Sequence, residues 1–484
     1  MPTTDAFAGL RPEGLWQHFA AITRVPRPSR REEQIVAHVR AWAAKHNFPV
    51  VADDAGNQCV HVPGTAGREN APVVVLQGHL DMVCERDSDS PYDAEKGNIH
   101  VVRDGDWLRA EGTTLGADNG IALAAMMHAA ECPDLKRGPL DLLFTSDEEI
   151  GLTGAMKLDP KIVRGRILLN LDNEDDDQLC VGCAGSTDAT VTLSAARSVP
   201  DGVGLRVQVA GFTGGHSGVD IHLPRGNAIR TAARVLKRVT EVADVRLTKF
   251  AGGNKRNAIP REAVAEFLLT ADKAAEVRQV AAEVEAQLRN LHAGRDEAFT
   301  IKVEVVPRSP AWPAGFAEKV ADLVLALPCG VLAMSPSVPG LVETSNSVGT
   351  AETDGDTVKI GCMIRSSFDP AAAEVVAVVR AAARLAGAEV EGVAGYPGWQ
   401  PNMDSAVLKK AQETHNRVFG KDAAIVAVHA GLECGIIGER VPGMDMVSFG
   451  PDIKGPHAPG ERVKVPSVER FWTFLSAVLD DLSK

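Results

Sequence analysis

The chain has 484 residues and a net charge of −13, with 45% hydrophobic and 24% charged residues. That length exceeds what one hydrophobic core serves, so two or three ordinary globular domains are expected. The acidic balance excludes a nucleic-acid partner, which needs a cationic footprint, and the absence of any run of ~18 apolar residues excludes a membrane-spanning helix.

Met1 to Leu10 has no basic n-region and is interrupted by Asp5 and Gly9, so no secretory signal is expected. The scattered cysteines suit reduced thiols in a cytoplasmic protein, and Cys180-x-x-Cys183, with no second pair, reads as packed thiols. Ser29 with Glu32 three residues on predicts a capping box. It would open a helix whose face is Ile35, Val36, Val39, Trp42 and Ala43, ending near His46-Asn47.

From residue 51 to 172 short apolar strands alternate with a helix. Val73 to Gln77, Leu140 to Thr145 and Ile167 to Leu171 read as strands of a mostly parallel sheet buried on both faces. The stretch Gly78-His79-Leu80-Asp81-Met82-Val83 follows the first. Residues i and i+2 of an extended segment point the same way, so Asp81 can orient the His79 imidazole while its other nitrogen binds a metal. The turn Gly116-Ala117-Asp118-Asn119-Gly120 starts a helix over Ile121 to His128. Open α/β sheets place their sites beyond the carboxyl ends of strands, where His79, Glu148-Glu149 and Asp172 all fall.

The pattern changes after Gly182-Cys183-Ala184-Gly185-Ser186. Val203 to Ala210 alternates as a half-exposed strand, and Gly211 to Gly218 is glycine-rich. A strand–helix–strand pattern then appears twice: 263–269, 274–291 and 299–306, followed by 357–364, 370–386 and 388–394. Two such units make an internally duplicated α+β insert. The predicted division is 1–186 and 400–484 as the two parts of one α/β domain, with 187–399 inserted. In the last part, 424–428 and 446–448 read as strands. The final helix carries Val468, Phe471, Trp472, Leu475, Val478, Leu479 and Leu482 on one core-facing stripe, with Ser467 as N-cap.

Two histidines and several carboxylates suit a borderline cation such as Zn²⁺, Mn²⁺ or Co²⁺. Two ions ~3.5–4 Å apart need one shared carboxylate, and Asp118, in its glycine-flanked turn, is the candidate. Adjacent Glu148 and Glu149 point different ways, so one can bind metal while the other takes a proton from water. His457 lies in a rigid proline–glycine loop, Gly450 to Gly460, of the kind that over-represents functional residues.

Gly78-His79-Leu80-Asp81, Gly116-Ala117-Asp118-Asn119-Gly120, Asp147-Glu148-Glu149-Ile150-Gly151, Leu171-Asp172 and the late His457 together resemble the dinuclear metallopeptidase family of carnosinases, aminoacylases and bacterial dipeptidases. Within that family the chain is most similar to the bacterial dipeptidases. The resemblance extends through Met82-Val83-Cys84, Thr114-Leu115, Gly182-Cys183-Ala184-Gly185 and His429-Ala430-Gly431-Leu432-Glu433-Cys434-Gly435, and runs nearly end to end.

The resemblance implies a zinc-peptidase catalytic domain, with a mixed, mostly parallel sheet flanked by helices, and an inserted α+β lid of two ferredoxin-like units. It implies two divalent ions per chain, Zn²⁺ first and Co²⁺ or Mn²⁺ as alternatives. His79, Asp118 and Asp172 would hold one, and Asp118, Glu149 and His457 the other. Asp81 would orient His79, and Glu148 would be general base to the water between the ions and acid to the leaving amine. A cis Asp118–Asn119 bond is implied as well. On the lid, His216 would donate to the carbonyl oxygen, and Asn257 and Arg365 would bind the substrate's carboxylate. Glu433 would hold its α-amino group. The implied activity is hydrolysis of unblocked dipeptides, including those ending in histidine and β-alanyl-histidine, by a cytoplasmic enzyme, with a homodimer as one assembly. Rival readings are an N-acyl-amino-acid deacylase on the same scaffold and a non-catalytic metal or peptide binder.

Overall fold

The computed structural model describes residues 6–484, which separate into two compact units. The first contains residues up to 182 with 399–427 and 432–484; the second contains 183–398 with 428–431. Among the described residues no helix is long and apolar enough to cross a membrane.

The first unit is built on an eight-stranded sheet. Its order is Val50–Ala52, Gln58–Val62, Leu140–Thr145, Val74–His79, Ile167–Asn170, Asp445–Ser448, Gln178–Cys183 and Ala424–Val428. The four middle strands are mutually parallel and the outer pairings with Gln58–Val62 and Gln178–Cys183 are antiparallel. Val74–His79 is buried along its whole length, which is why its first half, Val74-Val75-Leu76, is apolar without alternation. From it the chain goes first to one side, Leu140–Thr145, and then to the other, Ile167–Asn170. This reversal is a topological switch point, where carboxyl-end loops diverge and leave a crevice.

The helix Ala117–Glu131 is apolar nearly all round and buried, as expected of a helix inside the core. It begins earlier than the 121–128 predicted, and Asp118 and Asn119 within it have non-helical backbones. Gly116 ahead of it has φ 70°, a left-handed conformation suited to glycine. Helix Glu33–Lys45 covers the sheet with Ile35, Val39, Trp42 and Ala43. A small four-stranded sheet joins the C-terminal hairpin Ile453–Lys454/Arg462–Lys464 to Trp107–Ala110 and Val101–Asp104. This pairing carries the His457 loop back to the turn before Asp118.

Two expected caps are not caps. Glu33–Lys45 has no side-chain N-cap; Ser29 instead donates to Asp81 and Glu32 accepts from the Asp147 amide. The last helix starts at Val465 with Pro466 in its first turn, so Ser467 lies inside it and binds the Asp452 amide. In both places a tertiary partner outcompetes the local one.

The second unit is a nine-stranded sheet in which two ferredoxin-like modules are nested. Val203–Ala210, Ala228–Thr240, Arg246–Gly252, Ala263–Leu269, Ala274–Leu291 and Thr300–Val306 form the inner βαββαβ module. Gly185–Ser194 opens the outer module, which resumes after it with Phe316–Ala326, Val342–Asp354, Thr357–Ser366, Asp369–Ala386 and Glu389–Tyr396. A bridge between Gly252 and Ala351 makes the two sheets continuous. The repeated strand–helix–strand pattern did not disclose this nesting. Phe267, wholly buried in the inner module, sets a test of its core: Phe267→Ala is expected to destabilise the protein by about 3–5 kcal/mol, read as a lower midpoint of denaturant unfolding.

Candidate metal centre

The carboxyl ends of the middle strands bring six predicted residues of the first unit together. His79 closes its strand in register with Thr145, and Glu148 and Glu149 follow Thr145 while Asp172 follows Asn170. His79 Nε2 lies 3.0 Å from Asp118 Oδ1 and 3.5 Å from Asp172 Oδ1. His457 Nε2 lies 3.2 Å from Asp118 Oδ2 and 2.8 Å from Glu149 Oε2. The two Asp118 oxygens therefore face different histidines, the disposition a shared carboxylate needs. His79, Asp118 and Asp172 form one group whose ligand atoms all lie within 4.8 Å of each other, and Asp118, Glu149 and His457 form another. Glu148 joins His79 and Glu149 in a third. The Asp118–Asn119 bond is cis.

The donor set of imidazoles and carboxylates, with no thiolate, fits borderline divalent cations. The buried Glu149 Oε1 without a hydrogen-bond partner points the same way.

Asp81 touches both chemical halves of the centre. Its Oδ1 is 3.4 Å from His79 Nδ1 and accepts the Glu148 amide at 3.0 Å; Oδ2 accepts the Glu149 amide at 3.2 Å and Ser29 Oγ at 2.8 Å. Burial opposes its ionisation, but the His79 bond and these donors prevail and lower its pKa to about 2. Burial also disfavours the charged form of His79, yet Asp172, Asp118 and Asp81 outweigh it and raise the imidazole well above its usual value. Hydrogen bonds to Asp118 and Glu149 push His457 up to about 11. Burial raises Glu148 well above the carboxylate range and lifts Asp172 to about 6.

Glu433 is wholly buried at the start of helix Glu433–Arg440, where its Oε2 accepts from Gln77 Nε2 at 2.5 Å and Thr145 Oγ1 at 2.6 Å. Asn170 Nδ2 extends the chain to Gln77 Oε1 at 2.6 Å. The strands hold this one Glu433 oxygen, Oε2, while Glu433 Oε1 is buried without a hydrogen-bond partner among the described residues. Sequence reasoning also missed Arg27, which donates to the carbonyls of Leu80, Asp81 and Gly116, and Glu461, which accepts four backbone amides. Neither carries a periodic signal. Glu461's one hint was its place four residues after His457.

The remaining predicted residues lie in the second unit. His216 Nδ1 accepts from the amides of Gly218 at 3.3 Å and Val219 at 3.1 Å, so the ring proton sits on Nε2. Burial, then Arg365, lowers its pKa to about 4 and keeps the ring neutral at pH 7. Arg365 is 4% exposed, its Nε has no acceptor, and its Nη2 lies 3.4 Å from His216 Nε2. Two donors thus converge, with the Met363 sulfur, 3.2 Å from Arg365 Nη2, as a weak acceptor beside them. Asn257 is exposed and meets this segment through its backbone, its carbonyl accepting from the Ser217 amide at 2.8 Å. His429, also missed, hydrogen-bonds Ser345 Oγ through Nε2 at 2.7 Å.

The model of peptidase family M20/M25/M40 matches residues 75–481. The chain is 40% identical over 476 residues to the cytosol non-specific dipeptidase of Escherichia coli K12, covering 98% of each chain. It is similar to the crystal structure of aminoacylhistidine dipeptidase from Vibrio alginolyticus, with TM-score 0.88, 38% identity and coverage of 98% and 97%. Human carnosine dipeptidase 1, at 12% identity, TM-score 0.52 and 99% coverage of each chain, shares the fold.

The raised imidazoles set a proton balance. His457, pushed up to about 11, is protonated at pH 7 in the ion-free protein, and His79 is raised well above its usual value by the carboxylates around it, whereas ligation needs neutral imidazoles. Metal uptake is therefore expected to release about one to two protons per chain, with affinity rising as pH rises. Calorimetry at pH 7 in buffers of different ionisation enthalpy reads this directly; proton uptake would contradict it.

Proposed function

The chain belongs to peptidase family M20/M25/M40, and from that premise we propose that it is a metal-dependent dipeptidase acting on unblocked dipeptides. The observation that carries the reading is the pair of ligand groups sharing Asp118, with Glu148 beside them in a third group with His79 and Glu149. The end-to-end similarity to a cytosol non-specific dipeptidase and to an aminoacylhistidine dipeptidase supports the substrate class, including peptides with C-terminal histidine and β-alanyl-histidine. It also supports a cytoplasmic location.

His79, Asp118 and Asp172 are assigned to one divalent ion and Asp118, Glu149 and His457 to a second, with Zn²⁺ first and Co²⁺ or Mn²⁺ as alternatives. When bound, such ions supply Lewis-acid polarisation of the scissile carbonyl and acidify water. Glu148 takes the proton of the attacking water and passes it to the leaving nitrogen. Its burial-raised pKa suits a group that must both accept and donate. Asp81 holds the His79 ring and, through the amides of Glu148 and Glu149, the base and a ligand together.

His216 is assigned to donate from Nε2–H to the carbonyl oxygen as negative charge develops there. Arg365 is assigned, with Asn257, to the peptide's carboxylate. What supports the Arg365 role is a buried guanidinium whose Nε has no acceptor, a costly arrangement that an anionic ligand relieves.

Glu148→Ala is expected to lower kcat by about 10²–10⁴-fold while the protein keeps its metal, read by steady-state kinetics beside elemental analysis. Unchanged turnover would remove Glu148 from the reaction. Chelation is expected to abolish hydrolysis, and Zn²⁺, Mn²⁺ or Co²⁺ to restore it. N-acetylated dipeptides are expected to be poor substrates beside their unblocked counterparts. Equal rates would favour the deacylase reading.

A further inference from the structure

The turn that presents Asp118 is held by a carboxylate that forms no ion pair among the described residues. Glu461, 2% exposed, accepts the amides of Leu115 and Gly116 on Oε2 at 2.7 and 2.9 Å, and those of Ala117 and Asp118 on Oε1 at 2.7 and 3.2 Å. Four consecutive N–H groups thus wrap one side chain, as they wrap an anion in a backbone nest. Arg27, 1% exposed, donates to the Gly116 carbonyl of the same turn at 2.5 Å. The same guanidinium donates to the carbonyls of Leu80 at 3.0 Å and Asp81 at 2.7 Å. Arg27 therefore ties the turn to the segment that begins with His79. Asn119 makes a third tie, from Nδ2 to the Leu171 carbonyl at 3.0 Å beside Asp172.

The placement is costly unless it serves the ligands. Glu461 is a buried carboxylate close enough to Asp118 for their charges to repel, and burial opposes its ionisation first. Ordinary loop closure would be met by a neutral acceptor or by water. The negative charge, by contrast, binds four amides strongly enough to fix a turn whose bridging residue has a non-helical backbone.

We propose that Glu461, braced by Arg27, is a positioning residue that fixes Asp118 so that its two oxygens face His79 and His457. The inference rests on the dinuclear reading above, with Glu461 acting through Asp118 rather than on substrate. Its place in the loop of His457 gives it a second hold: one short hairpin delivers a ligand and the clamp for another. Loss of the clamp should loosen the metal pair and slow the chemistry, leaving recognition of the peptide by other residues intact.

The test compares the full-length wild type with Glu461→Gln, Glu461→Asp and Phe267→Ala. Gln keeps the length but replaces one acceptor oxygen by a donor; Asp keeps the charge but shortens the reach. Phe267→Ala is the control for general destabilisation, since it lies in the other unit's core. Zn²⁺ affinity is read at 25 °C by competition with a chromophoric chelator, without peptide. Glu461→Gln is expected to lose about 10–100-fold in affinity, Glu461→Asp less, and Phe267→Ala none. In kinetics at saturating metal, Glu461→Gln is expected to lower kcat with KM within about twofold of wild type. If Glu461→Gln fails to fold, Glu461→Asp carries the comparison. Wild-type affinity in the folded Glu461 variants, or an equal loss in Phe267→Ala, overturns the proposal. A wild type that takes up two ions yet leaves every dipeptide intact fails the dipeptidase reading instead.

Discussion

Negative charge gathered where water is scarce is the constraint on the first unit. Asp81, Asp118, Glu148, Glu149, Asp172, Glu433 and Glu461 crowd the carboxyl ends of its parallel strands, and Glu174 adds another carboxyl pushed up to about 8 by burial and by Asp118 and Asp172. Anions at such depth need partners, because each loses its hydration. Two kinds of partner are present. Asp81 and Glu461 take most of theirs from backbone amides, and Glu433 from side-chain donors of the strands. Asp118, Asp172 and Glu149 instead meet imidazoles. Hydrogen-bond satisfaction thus sorts the acids: Asp81 and Glu461 are filled by donors of the fold, Glu433 keeps one oxygen without a partner, and Asp118, Asp172 and Glu149 face histidines, the set assigned above to cations.

Much of this was legible in the sequence because the parallel sheet imposes it. A buried parallel strand is mostly apolar, so 73–77, 140–145 and 167–171 showed as short, largely hydrophobic runs, with the chemistry in polar residues at or just past their ends. What pattern could not show is pairing across distance. Glu461 binds the Asp118 amide across 343 residues, and nothing in either local stretch encodes the meeting. Ser29 and Glu32 had the spacing of a cap, but Asp81 and the Asp147 amide were better partners than a helix end. Glu433 sat in a distinctive motif, which marked it as special without saying that the strands would enclose it.

The second unit poses the opposite electrostatic problem. Around Arg365 there is a surplus of donors: a guanidinium, the Nε2–H of His216, and little to accept from either. That surplus stands on a rigid base, since His216 pairs with Ala258 across a two-stranded ladder and Arg365 lies within Thr357–Ser366, paired on both sides. Around Arg365 the second unit is thus complementary to an anion.

The nesting of modules and the interruption of the first unit also order events in time. The strand Asp445–Ser448 lies between Ile167–Asn170 and Gln178–Cys183, so the first sheet is incomplete until the whole insert has been synthesised. The insert's own strands are contiguous in the chain apart from residues 428–431, and such units fold as they emerge. A nascent chain that has passed residue 172 already carries His79, Asp118, Glu149 and Asp172, but neither the second histidine nor the clamp on Asp118. On the assignment proposed above, the second ion's ligand set is complete only when the C-terminal hairpin brings His457 to its sheet, so the two halves of the centre are separated in time as well as in sequence.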